Sequence, residues 1–346
     1  MNTSRSTIVV TGGAGFIGSE LVRQLSLQGE RVVVIDNLVN GKRENLDECP
    51  PGVTLIEADL RDLPAVRPHL REARVVYHLA CLGARHSLHS PIENHDVNAT
   101  GTLHLLEASR AAGVPRFVYV SSSEVYGTAS RVPMTEEHPT MPSTVYGGSK
   151  LAGECYARAF HRVYGYPTVV IRPFNTYGPR CHHEGDSGEV IPKFLLRCLA
   201  NRSMVIFGDG QQTRDFMFVE DTARGIILAA MSDEAVGRTL NLGSGREITI
   251  HNLAIAIAAV TQRPLRVTHD APRPGDVLRL CSDVSQARRT LGFDARVSLT
   301  DGLGRLLAWY RAQDKSPEEL LEAEVIRNWD PEAAQGATAP LVARSD

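Results

Sequence analysis

The chain has 346 residues, enough for one large or two moderate domains, with 42% hydrophobic and 22% charged residues, the balance of a soluble globular protein. A formal net charge of -3 offers no basic field for nucleic acid or an anionic membrane. Met1 to Arg5 leads directly into a strand pattern without a cationic leader and apolar run, and no segment approaches the ~18 apolar residues of a spanning helix, so a cytoplasmic protein with no nucleic-acid or membrane partner is expected.

Short β-branched runs alternate with longer helical patterns through the first half: Ile8 to Val10, Arg31 to Ile35, Val53 to Glu57, Val75 to His78, Phe117 to Ser121 and Thr168 to Arg172. Such alternation predicts βαβ units in an α/β fold, a doubly wound, Rossmann-like parallel sheet whose strands lack polar alternation because helices cover both faces. We place this first domain at residues 1–178. Residues 179–329 are less regular, with joints at Phe207-Gly-Asp-Gly210 and Arg273-Pro-Gly-Asp276, and predict a smaller α/β lobe, some of whose strands return to the first domain. Residues 330–346 are rich in Ala, Gly and Pro and read as a frayed tail. The six cysteines are scattered and predict reduced thiols, while the adjacent His182-His183-Glu184 reads as a surface loop, so no metal is expected.

The first strand runs into Thr11-Gly-Gly-Ala-Gly-Phe-Ile-Gly18, followed by an amphipathic helix expected from about Ser19 to Gln28. Gly12, Gly15 and Gly18 let a backbone turn tightly, approach a pyrophosphate and pack helix on strand, and the helix N-terminus offers free N–H groups to the phosphates. Asp36, after the second strand, suits the ribose hydroxyls of a dinucleotide and repels a 2′-phosphate, which selects NAD over NADP; its alternative reading is a turn residue. Asp59-Leu60, ending the third strand, is where an adenine-contacting pair would sit. Tyr146 and Lys150 lie one helical turn apart on one face. A phenol of pKa ~10 is a poor base unless cationic neighbours stabilise its anion, and the ammonium of Lys150 is the expected one. Ser121-Ser-Ser-Glu-Val-Tyr-Gly127 supplies a hydroxyl-rich strand end just upstream, where ligands bind such sheets.

These motifs, with His78-Leu-Ala80, Asn98, Arg172-Pro-Phe-Asn175-Thr-Tyr-Gly-Pro179 and Gln212-Thr-Arg-Asp-Phe216, resemble the extended short-chain dehydrogenase/reductases of the nucleotide-sugar epimerase/dehydratase family over roughly residues 7 to 312. The resemblance implies an NAD-dependent enzyme that transiently oxidises carbon 4 of a nucleotide-activated sugar. It makes Tyr146 the base at the carbon 4 hydroxyl, Lys150 a ligand of the nicotinamide ribose, and Ser122 a partner of the same hydroxyl. It further sets Phe16, Ile17, Asn37, Leu79, Ala80, Asn98 and Pro173 at the cofactor, and Cys81 and Val190 at the substrate. Asn175, Arg214 and Arg273 would meet the diphosphate, Phe207 the base and Asp276 its ribose. Relatives also pair two helices with their two-fold mates, which predicts a homodimer through a four-helix bundle built from about Asn98 to Ala112 and Ser149 to Tyr164.

The fate of the 4-keto sugar separates the reactions. Glu124, two residues after Ser122 and expected on the same strand face, resembles the carbon 5 base of dehydratases and decarboxylases, with Ser123 between them. Arg273-Pro-Gly-Asp-Val277 resembles the nucleotide clamp of epimerases. A 4,6-dehydratase is favoured, with a 4-epimerase the alternative and a uronate decarboxylase after it; a non-enzymatic dinucleotide sensor would have lost the tyrosine or lysine. Arg85 and His86, in an unusual loop after Ala80, suit either an anionic group on the sugar or a solvated scaffold.

Overall fold

The computed structural model describes residues 6–185, 187–273 and 276–329, so the expected tail at 330–346 lies outside the described residues. Within them, β1 (Thr7–Thr11), α1 (Phe16–Leu27), β2 (Arg31–Asp36), β3 (Val53–Glu57), α2 (Leu63–Leu70) and β4 (Ala73–His78) form the first βαβ units. After the short helices α3 (His86–His89) and α4 (Pro91–His95) come α5 (Gly101–Ala111), β5 (Phe117–Val120), α6 (Val145–Tyr164) and β6 (Thr168–Pro173). All these strands pair in parallel in the order β6-β5-β4-β1-β2-β3, the doubly wound sheet expected.

The remainder builds the second lobe from β7 (Asn175–Tyr177), α7 (Val190–Leu199), β8 (Met204–Phe207), β9 (Thr213–Phe218), α8 (Val219–Met231), β10 (Thr239–Leu242), β11 (Glu247–Thr249), α9 (Ile250–Thr261), β12 (Val267–Asp270), α10 (Ser285–Leu291), α11 (Leu299–Arg311) and α12 (Pro317–Leu320). β10 leaves this lobe and adds a seventh parallel strand beside β6, and α8 and α10 pack back into the core of that sheet, while β11-β9-β7 and β12-β8 stay behind as small sheets. One face of the large sheet packs Ile8, Val10 and Val118 against Leu21 of α1 and Ile226 of α8; the other packs Val9, Val76 and Tyr119 against Val66, Leu105 and Ala157 of α2, α5 and α6. A separate core joins Phe194, Ile206, Leu253 and Leu306 in the second lobe. Burial on both faces explains the continuous apolar strands.

Three helix starts depart from expectation, one of them α6, which begins at Val145, four residues before Ser149. α1 begins at Phe16, three residues early, because Gly15 is its extended N-cap and Gly18 is already helical. The helix expected from Asn98 begins instead with a widened turn over Asp96–Thr100, and regular α-helix follows only from Gly101. α6 starts where Thr144 Oγ1 accepts the Gly147 N–H at 3.1 Å and stops at Gly165 in the left-handed region, φ 62°. Its inner face is fixed by a buried pair: Arg172 of β6 donates to both Glu154 carboxylate oxygens at 2.8 and 2.6 Å and to Tyr126 Oη at 2.8 Å. Removing one partner of such a pair leaves an uncompensated buried charge.

Candidate active site

A cavity of about 570 Å³ runs along the carboxyl ends of the large sheet and on between the lobes, within the usual range for ligand sites. At its first end the backbone does the shaping. Gly12 stands at φ 69°, and a Cβ there would lie 2.6 Å from the Ala80 nitrogen; a Cβ on Gly18 would lie 2.0 Å from the Gly12 oxygen. Only glycine fits either place, and the loop delivers the open N-terminus of α1 to the cavity. Asp36 holds this loop: its Oδ2 accepts the Ala14 N–H at 3.0 Å and its Oδ1 the Leu38 N–H at 2.9 Å. Its carboxylate therefore serves both as turn residue and as cavity wall, and burial raises its pKa. Asn37 donates to Asp59, and Arg61 holds the Asp59 carboxyl down at about 2. The strand ends are locked by His78, whose ring bridges Thr11 and Thr102 at 2.8 Å each and which burial keeps neutral, its pKa lowered to about 3.

Phe16, Ile17, Asp59, Leu60, Leu79, Ala80, Pro173, Ser122, Ser123, Glu124, Tyr146 and Lys150 all line the cavity, as do Cys81, Arg85, His86, Asn175, Val190, Phe207, Arg214, Arg273 and Asp276. Asn98 is the exception. Its Oδ1 accepts the Leu82 N–H at 2.8 Å and its Nδ2 donates to the Leu82 carbonyl at 2.9 Å, so its amide is used in holding the Cys81-Leu82 loop rather than in facing the cavity.

One local expectation fails on geometry. β5 ends at Val120, and Ser122 caps a 3₁₀ turn over Ser123–Val125 by accepting the Glu124 N–H at 3.2 Å, so strand alternation does not relate Ser122 to Glu124. Both still border the cavity, but through a turn. Lys150 Nζ donates to the Val120 carbonyl at 2.6 Å and sits 4.8 Å from the centre of the Tyr119 ring. Burial raises the Tyr146 pKa, with Cys81 and Glu124 adding to the rise and a hydrogen bond from Ser122 opposing it. Burial likewise lowers that of Lys150.

The other end is built from charged side chains. Arg214 donates to Asp276 at 2.7 Å and to the Val277 carbonyl at 2.6 Å. Arg273 has its pKa lowered to about 10 by burial and by Arg85, and its buried Nε has no partner among the described residues; the same holds for Asn175 Oδ1. Arg85 forms no salt bridge among the described residues, while His86 faces Glu93 at 3.5 Å. Sequence reasoning missed Glu189, Lys193 and Trp329, which also line the cavity. Burial pushes the Glu189 carboxyl up to about 7 and the Lys193 ammonium down to about 8. None belongs to a motif, although Glu189 immediately precedes α7, where an acidic residue is a common start signal. His182 and His183 pair with Glu184 at 3.7 and 3.2 Å, and Lys42 with it at 2.9 Å.

Residues 8–243 match the sequence pattern of the NAD dependent epimerase/dehydratase family. A UDP-glucose 4-epimerase from Mycolicibacterium smegmatis is 36% identical over 313 residues, 88% of this chain and 98% of that protein. Among solved structures, UDP-glucose 4-epimerase from Thermotoga maritima with UDP-glucose superimposes with a TM-score of 0.84 at 34% identity, covering 88% of this chain and 98% of that one. The dTDP-glucose 4,6-dehydratase of Streptomyces venezuelae with NAD gives 0.82 at 34% identity, covering 88% and 97%. With the glycine cradle, the sheet order and these matches in agreement, the chain belongs to the NAD-dependent epimerase/dehydratase family of nucleotide-sugar enzymes.

Proposed function

We propose that this protein is an NAD-dependent UDP-hexose 4-epimerase. The observation that carries the reading is kinship over nearly the whole chain with UDP-glucose 4-epimerases, and it replaces the dehydratase expectation. The argument for dehydration drew on the resemblance of Glu124 to the carbon 5 base of dehydratases and on a strand face shared with Ser122, and that strand ends before either residue. Dehydration also calls for an acid to release water from carbon 6, and Ser123, with only a hydroxyl, is a poor one.

The glycine loop, Asp36, Asn37, Asp59 and Leu60 would hold NAD, with Lys150 at its nicotinamide ribose. NAD, when bound, would supply the hydride acceptor and donor and a positive charge near the phenol. Tyr146 takes the proton of the carbon 4 hydroxyl and returns it, and Ser122, which also lines the cavity, holds the same hydroxyl. Arg214, Arg273 and Asn175 take the diphosphate, so the 4-keto sugar turns while its nucleotide stays anchored. Residues 1–178 thus carry the cofactor and the chemistry and 179–329 mainly the nucleotide, with Arg85 as a cation facing the sugar's surroundings. A homodimer through α5 and α6 fits the exposed Cys155, Ala159 and Val163 on α6; a monomer in light scattering at micromolar concentration would refute it.

Incubation with UDP-glucose, UDP-galactose, UDP-N-acetylglucosamine, UDP-glucuronate and dTDP-glucose, read by mass and NMR, tests the reaction. Inversion at carbon 4 without mass change is expected, with no deuterium at carbon 5 in deuterium oxide. Loss of water or of carbon dioxide would replace it. In Glu124→Gln turnover should stay within about tenfold, whereas a carbon 5 base would lose roughly 10²- to 10⁴-fold.

A further inference from the structure

Beyond α12 the chain doubles back along the mouth of the cavity. Gly185 donates to the Ala323 carbonyl at 2.8 Å, and Arg197 of α7 donates to Glu324 at 2.8 Å. Lys193 reaches the Val325 carbonyl at 2.7 Å, Arg327 pairs with Asp270 at the end of β12, and Asn328 donates to the Gly188 carbonyl at 3.0 Å. These bonds fasten an irregular segment to three separate elements of the second lobe, and the segment delivers Trp329 into the cavity wall.

There the indole meets Phe207 edge to face, with ring centroids 4.5 Å apart and planes at 86°. The Arg273 guanidinium lies 5.0 Å from the Trp329 ring and 5.6 Å from that of Phe207. Two perpendicular aromatic planes thus make a corner at the charged end of the cavity. Beside them stands a half-buried cation whose buried Nε has no partner among the described residues. Flat π-systems beside an under-compensated guanidinium suit a ligand that is aromatic at one end and anionic next to it. A nucleoside diphosphate is such a ligand, and stacking tolerates any base because every base has a π-face.

We propose that Trp329 is a nucleobase-binding residue: together with Phe207 it forms an aromatic corner that stacks the base, while Arg273, packed on both rings, meets the diphosphate. The inference rests on the nucleotide-sugar reading above. It adds that the segment 321–329 is part of the nucleotide site, and that this wall recognises the class of ligand without choosing the base.

The chain holds two tryptophans, Trp309 and Trp329, so in a Trp309→Phe background UDP should quench the remaining emission. In the full chain, Trp329→Ala should weaken UDP and raise KM for the UDP-sugar by about tenfold, with kcat kept, and Trp329→Phe should stay within about threefold. Inorganic pyrophosphate, which has no base, should bind both variants as it binds the parent. Equal loss of pyrophosphate and UDP affinity in Trp329→Ala would make Trp329 a support for Arg273 and overturn the proposal. Unchanged UDP affinity, or no quench, would overturn it while leaving the epimerase reading intact. A wild-type protein that binds no UDP at all would overturn both. If Trp329→Ala does not fold, the quench and the Phe variant decide.

Discussion

The two ends of the cavity are made differently. At the glycine loop the wall is main chain, held by bonds such as Ala14 N–H to Asp36, and side-chain volume is what it excludes. At the far end the wall is Trp329 with Arg85, Arg214, Arg273, Glu189 and Lys193, long side chains among which charges perturb one another. A backbone-built wall is broken by adding a methyl group, and a side-chain-built wall by truncating one. Tyr146 and Ser122 lie where the two meet.

The largest expected effect is at that junction. Tyr146→Phe should lower kcat by about 10³-fold while UDP affinity and NAD affinity stay near wild type, measured by NMR turnover and calorimetry; that separates chemistry from both walls. Activity within about tenfold of wild type would remove Tyr146 from its role. Next, Gly18→Ala should weaken NAD by at least about tenfold and cost about 1–3 kcal/mol in denaturant unfolding, because the Cβ meets the rigid Gly12 carbonyl and Gly13 Cα rather than a flexible side chain. Arg273→Ala should do the converse, weakening UDP and leaving NAD untouched. If both substitutions affect both ligands alike, the distinction between the walls fails.

Glu189 sharpens the contrast through pH. Its folded carboxyl sits near 7, above an unfolded value of about 4.3, so the folded state binds the proton more tightly. Stability from this group is full below about pH 4 and is lost as pH rises through 7. Glu189→Gln should therefore be more stable than wild type at pH 8, by about 2 kcal/mol or less, and no more stable at pH 4. A constant difference across pH in chemical denaturation would contradict this. Smallest is the dinucleotide preference: Asp36 should favour NAD over NADP by at least about tenfold, or about 1.4 kcal/mol, and tighter NADP binding would sink that role.

The contrast also separates what could be read in advance. The glycine loop, Asp36 and the β-branched runs belong to elements whose local sequence nearly dictates their geometry, so the cofactor loop and the parallel sheet were legible. Asn98 was misplaced because its amide finds Leu82, sixteen residues earlier in the chain, and only the folded loop shows that competitor. Glu124 was misread because Ser122 capped a 3₁₀ turn where a strand was expected; side chain-to-backbone competition of this kind is local, but the outcome depends on where the sheet ends. Trp329 lies outside every regular pattern and reaches Phe207 across more than a hundred residues.

By itself, the sequence determined the parallel α/β sheet, the family, the glycine cradle and the Tyr146–Lys150 spacing, because periodicity, turn chemistry and one-turn helical spacing act within a few residues. Tertiary structure alone decided that Lys150 binds the Val120 carbonyl, that Tyr146 is half-buried in the cavity wall, that Asp36 braces the loop it faces, and that Glu189, Lys193, Arg273 and Trp329 converge on one cavity. Those are matters of burial and of charges brought together from distant segments, and both arise only when the two lobes close around the same space.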